Sequence, residues 1–362
     1  MIPGSASAGA ARPPGAHRAT MPGVSLKLAR RFVVGGAVAS LGMGPLAARA
    51  LGHGTVPAEP PSLAVLVFGW SFEPTVVLPL VFLVACWVAL VRRVDAAHPA
   101  TPVPRRRSVA FLAGIAAIAV ALQSGVERYD TTLFSIHMVQ HLLLTLVAAP
   151  LIALGAPVTL LLRAATPRVR QGFILPIIHS RILRVLAFPV VAWLLFAGVM
   201  WATHFSPLFD LALENRLVHD LEHGLYLGTA LLFWWPAVGL DPAPWRLAHP
   251  VRVLYVFLQM PQNTFLAVVI MNAAAPLYPH YATLARPWGP TPLVDQQTAG
   301  GIMWLGGDLL FIAAIGAILA GWMRHEERQT ERADRRVDAE RGAIRARETR
   351  LAERLADERE RR

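Results

Sequence analysis

The sequence predicts an all-α, polytopic membrane helical bundle with about seven transmembrane helices, preceded by one more hydrophobic segment near the N-terminus. Of 362 residues, 55% are hydrophobic and only 16% charged, whereas soluble domains carry roughly 25% charged residues. Several apolar runs reach the ~20 residues that a helix needs to cross the hydrocarbon core. The arginines gather in the loops between alternate runs, as the positive-inside rule requires.

Taken in order, residues 1–24 are rich in Pro, Gly, Ala and Ser without periodicity, and read as disordered. Lys27, Arg30 and Arg31 then precede a short apolar stretch at 32–46, and Ala48-Arg49-Ala50 follows. This is the pattern of a signal peptide, so residues 1–50 are expected to be a leader. The alternative is a retained first helix. Gly35, Gly36, Gly42, Gly44 and Pro45 favour cleavage over a packed span. The membrane domain is expected over 51–323, with apolar segments near 74–92, 108–123, 133–156, 183–203, 217–239, 251–272 and 299–323.

Arg92, Arg93, Arg105, Arg106, Arg107, Arg163, Arg168, Arg170, Arg181, Arg184, Arg246 and Arg252 fall on one side of this arrangement. Only Arg128, Arg216 and Arg286 fall on the other. The rule then puts the mature N-terminus outside a cell membrane and the C-terminus in the cytoplasm. The same distribution accounts for the net charge of +11 without nucleic acid. Residues 324–362 mix arginines with acids and read as a charged cytoplasmic helix laced with i,i+4 ion pairs. The single cysteine, Cys86, rules out a disulfide within the chain and a Cys-based metal site.

The histidines carry the chemistry. His98, His179, His249 and His325 fall in cytoplasmic loops or the tail, and His17 in the leader. His137 and His141 occupy the first turns of the third segment, His204 closes the fourth, and His219 and His223 open the fifth, all at outer ends. His53 and His280 are loop residues on the same side. Both pairs are spaced i,i+4, so each lies on one helix face, about 6 Å apart along the axis. That spacing lets two imidazoles reach one metal ion. The expected ligands are His137, His141, His219 and His223, with His204 completing the site or guarding its approach. Gln140, Glu222 and Met138 adjoin them. Asp308 lies ~13 Å into the last segment on helix geometry, and an ionisable residue at that depth is a functional candidate. Gln140, Met138, Glu222 and Asp308 are expected as supporting residues around the ligands. Gln259, Gln262 and Asn263 surround Pro261, where they either satisfy a kinked backbone or line the site.

Met138, Met200, Met260, Met271 and Met303 also lie in apolar segments. Thioether with imidazole favours copper, Cu(I) in particular, and the histidines alone leave zinc open. A zinc-dependent intramembrane hydrolase is the alternative reading, with Ser135 as a candidate side chain, although no H-E-x-x-H pattern is present. A haem carrier is disfavoured, because paired histidines would compete for one iron. A transporter lacks a supporting inverted repeat.

Several segments resemble one family. They are His137-Met138-Val139-Gln140-His141-Leu142-Leu143-Leu144 with Gly155-Ala156-Pro157; His219-Asp220-Leu221-Glu222-His223 with Phe233-Trp234-Trp235-Pro236; Pro276-Leu277-Tyr278-Pro279 with His280 and Tyr281; and Trp288-Gly289, Asp295-Gln296-Gln297 and Gly300-Gly301-Ile302-Met303-Trp304. Together they are similar to the CtaG family of polytopic, caa3-type cytochrome c oxidase assembly factors, over roughly residues 62–325. The resemblance implies a non-enzymatic membrane factor needed to make active oxidase by aiding copper delivery. It implies cytochrome c oxidase subunits as partners, together with the lipid bilayer and copper-transport or copper-chaperone proteins.

Overall fold

The computed structural model describes residues 56–361. The expected leader, His17 and His53 lie outside the described residues. Among those described, every regular element is helical. The main helices are α1 (Pro74–Ala97), α2 (Arg105–Tyr129), α3 (Phe134–Ala164), α4 (Pro189–His204), α5 (Leu208–Glu214), α6 (Arg216–Val238), α7 (His249–Met271) and α8 (Pro292–Glu360).

Five of these, α1, α2, α3, α7 and α8, are long and apolar enough to cross a membrane. The bent pair α4–α5, which turns through 72°, makes a sixth. Each of the seven expected segments is helical, but α6 does not reach the apolar content of the rest. It has 23 residues, about 35 Å at 1.5 Å per residue, so its length suffices. Arg216, His219, Asp220, Glu222 and His223, all in its first turns, dilute its apolar character. The helix that departs most from a plain span is the one that carries two of the candidate ligands.

Helix α6 is the centre of the bundle, packed against α3, α4 and α7. Its buried face runs from His219 through Tyr226, Phe233 and Trp234 to Ala237. Helices α2 and α3 meet closely where small residues allow it: a Cβ on Gly114 would lie 2.8 Å from Ile152, and one on Gly155 would lie 2.8 Å from Phe111. Helix α1 buries only Trp87 and Val94 and turns its remaining apolar surface outward, the pattern of a lipid-facing span.

Two helices widen by a residue in mid-course, α3 at Leu143–Ala148 and α8 at Ile302–Gly306. Such turns displace backbone groups from the regular ladder and recur at functional sites. Each has a carbonyl taken up by a side chain. Trp234 Nε1 donates to the Thr145 carbonyl at 2.8 Å, and Asn263 Nδ2 donates to that of Met303 at 3.1 Å. Helix α7 breaks at Leu258, between Phe257 and Gln259. Phe257 is the residue whose carbonyl Pro261 cannot engage. Gln262 accepts a bond from Trp201 Nε1 at 2.9 Å. With Asn263 on Met303, the amides of this segment tie α7 to α4 and α8.

The two ends of the bundle differ. At one, the loops around Asp130, Asp210 and His280 interlock: His280 donates through Nε2 to the Thr131 carbonyl and through its backbone N–H to Asp210. At the other, Arg163 reaches the Thr101 carbonyl, Trp245 Nε1 donates to that of Arg184, and Asp241 caps the helix beginning at Pro157 through Val158 and Thr159. There Ala156 adopts the left-handed conformation (φ 57°), which turns the chain between Gly155 and Pro157. Beyond the bundle α8 continues as one exposed helix to Glu360, with an i,i+4 pair of Glu331 and Arg335 at 3.5 Å.

Candidate metal centre

All five expected histidines meet at one end of the bundle. His137 and His141 stack along α3 with ring centroids 4.1 Å apart, and His219 and His223 along α6 at 4.2 Å. The helices present these pairs to each other: His137 lies 5.5 Å from His219, and His141 lies 6.2 Å from His223 and 6.0 Å from His204. None is exposed by more than 5%.

The start of α3 is held by the last span. Asp295 Oδ2 accepts the Phe134 N–H at 2.7 Å, and Oδ1 accepts the Ser135 hydroxyl at 2.6 Å. Leu133 and Phe134 offer no capping side chain of their own, so a distant aspartate supplies the cap and fixes the rotation at which His137 enters the bundle. Ser135, considered for a hydrolase, is spent in this cap. Gln296 pins the following loop, accepting the Leu277 N–H at 2.7 Å and donating to the Ile270 carbonyl at 3.1 Å.

Ring orientations follow from hydrogen bonds. Gln140 donates through Nε2 to Glu127 at 2.7 Å and to the Ala121 carbonyl at 3.0 Å, which turns its oxygen toward His223 Nε2, 3.0 Å away. His204 Nδ1 lies 2.8 Å from the Met200 carbonyl, a bond that leaves Nε2 as its remaining ring nitrogen. That Nε2 makes no hydrogen bond, nor does either ring nitrogen of His141, although all are buried. Buried polar atoms without partners are costly, and coordination to a cation would satisfy them.

Two acids complete the donor set. Glu222 brings a carboxylate oxygen to His137 and His141, the three ligand atoms lying within 4.8 Å of one another. Expected as a supporting residue, Glu222 stands at ligand distance. Asp130 does the same with His219 and His223, its Oδ2 3.6 Å from His219 Nε2. Asp130 was not anticipated from the sequence. The available signal was Glu127 and Asp130, acids a few residues before a histidine-bearing helix. Burial raises the Asp130 carboxyl well above its ordinary range, and the neighbouring Glu127 carboxylate adds to the effect.

The remaining candidates are placed apart. Asp308 accepts the Thr264 hydroxyl at 2.9 Å. Its neighbour Gly307 faces Asn263 and Leu146, and Leu146 is five residues further into α3 than His141, so Asp308 serves the α7–α8 contact. Met138, Met200 and Met303, by contrast, share one apolar cluster with Phe209, Tyr226 and Tyr278, aromatic residues that border the histidines. Asp220, beside His219 in sequence, is half exposed and pairs weakly with Arg216.

An aromatic roof covers the histidines. Phe209 on α5 packs 5.0 Å from His137, 5.2 Å from His204 and 4.3 Å from Tyr278. Tyr278 donates to the His204 carbonyl at 3.3 Å, and Tyr281 to the Asp130 carbonyl at 2.7 Å. Burial raises both phenols, which stay neutral donors. His204, expected at the outer surface, lies beneath this roof because the 72° bend after it folds α5 back over the site. Tyr226 packs on the His141 ring at 4.4 Å.

Residues 81–325 match the family of the cytochrome c oxidase caa3 assembly factor, Caa3_CtaG. The chain belongs to this family. The matched region takes in all five histidines, both carboxylates and the capping Asp295, so the Caa3_CtaG region and the cluster coincide. The chain is also similar to uncharacterized proteins of Mycobacterium bovis and Mycobacterium tuberculosis, 30% identical over 293 residues, 78% of this chain and 43% of each relative. An uncharacterized protein of Mycobacterium leprae is 31% identical over 289 residues, with the same coverage. This family member therefore spans less than half the length of the curated relatives it matches. No solved structure matches it.

Proposed function

We propose that this chain is a non-enzymatic membrane factor for cytochrome c oxidase assembly that binds copper at the histidine end of its bundle and passes it to an oxidase subunit. The observation that carries the reading is the convergence of five buried histidines from three helices, with His141 and His204 presenting ring nitrogens that have no hydrogen-bond partner. Family membership supplies the oxidase. Imidazole and carboxylate donors suit Cu(II), and they suit Zn(II) nearly as well. Copper is preferred because it is the cargo an oxidase requires. Met138, Met200 and Met303 pack with the aromatic residues beside the histidines, and thioether with imidazole would suit Cu(I).

The arginine-rich end faces the cytoplasm in this reading, since Arg163, Arg184 and Arg246 cluster there. The histidine end then opens to the outside of the cell membrane, where copper-transport or copper-chaperone proteins would load it. Under the roof, His204 is placed to take part in exchange, held by Met200 but free at Nε2. The test is to replace His141 and His223 together and measure copper in oxidase purified from the same membranes. The oxidase should lose copper, and unchanged copper content would contradict the reading.

A further inference from the structure

The ligand atoms do not form one group. They fall into two sets of three that share no residue: His137, His141 and Glu222 in one, Asp130, His219 and His223 in the other. Each set takes its histidine pair from one helix and its carboxylate from a different element. Glu222 belongs to α6 but meets the α3 pair, while Asp130, in the turn before α3, meets the α6 pair. The sets are therefore interleaved across one helix contact, His137 against His219 at 5.5 Å.

We propose that the cluster holds two cations side by side, one on each set. This deepens the reading of the site as a metal centre and rests on it. Two histidines and a carboxylate make a three-ligand site that leaves a further position open, the arrangement of exchangeable rather than closed metal sites. The His204 ring, with no hydrogen bond at Nε2, lies 6.0 Å from His141 and can supply a further donor. Each set also has a carboxylate of its own. Asp130 and Glu222 are buried at 1% and 6% exposure, and Glu127 stands behind them through Gln140. Each set therefore has its own buried carboxylate to offer a cation. The Gln140 bond also engages His223 at Nε2.

The experiment is a Cu(II) titration of the purified full chain in detergent, read by metal analysis and electron paramagnetic resonance. The wild type should bind two equivalents, and its resonance should show magnetic coupling between neighbouring ions, with an integrated signal below the copper content. The isosteric variants Asp130→Asn and Glu222→Gln should each bind one equivalent with an uncoupled spectrum. One equivalent in the wild type, retained by Asp130→Asn, would overturn the pair while leaving the metal reading intact. Two equivalents with an uncoupled wild-type spectrum would overturn the adjacency without recourse to any variant. No copper bound by a folded wild type would defeat the metal reading itself.

Discussion

Gln140 holds His223 by a bond of 3.0 Å from its side-chain oxygen to ring Nε2, while its amide nitrogen is committed to Glu127 and the Ala121 carbonyl. The imidazole must carry its proton on Nε2 and offer Nδ1 as the donor. Groups that fix a ligand's tautomer in this way change metal affinity by about ten- to a hundredfold when removed. Gln140→Leu should weaken copper binding by that factor in a chelator competition, with stoichiometry unchanged. Unaltered affinity would show that His223 does not act through Nδ1.

Asp295 acts at a distance from the donors. Its carboxylate accepts from Phe134 and Ser135 at the start of the histidine-bearing helix, and hydrogen bonds to a charged group contribute about 1.5–3 kcal/mol each. Asp295→Ala should lower the thermal unfolding midpoint in detergent and reduce copper retention together. An unchanged midpoint would mean that α3 is set by packing alone.

The roof predicts slow exchange. Removing a packed phenylalanine costs about 3–5 kcal/mol, and each 1.4 kcal/mol taken from a closure barrier is about tenfold in rate. Phe209→Ala should speed copper extraction by a chelator at least about tenfold while leaving capacity unaltered. A rate equal to wild type would place the exchange route elsewhere.

Histidine ligands must be neutral to bind a cation, and a free imidazole takes up its proton near pH 6.5. Protons compete with the ion as pH falls, so copper retained at about pH 8 should be released progressively as the pH is stepped down through and below the free-imidazole value. Equilibrium dialysis at stepped pH measures this. Retention independent of pH over that range would argue against imidazole ligation.

Much of the fold was legible in the sequence because hydrophobic runs of span length leave little choice of structure in lipid. That His137 shares a helix face with His141, and His219 with His223, followed from helix period alone. What was hidden was tertiary. Glu222 moved from supporter to candidate ligand because α3 and α6 meet face to face, which no single helix reveals. Asp130 reaches His219 across 89 residues of chain, and turn acids carry no periodic signal. Asp308 looked functional by depth, yet depth does not say which neighbour a side chain meets, and Thr264 meets it. The burial of His204 depended on a bend at Phe205–Pro207 that hydropathy cannot place.

The most direct measurement is elemental analysis of the purified protein after anaerobic copper loading, beside a variant with His137, His141, His219 and His223 all changed to Ala. The account predicts copper in the wild type and its loss from a variant that remains folded. Equal copper in both would contradict it and reduce the histidine cluster to packing.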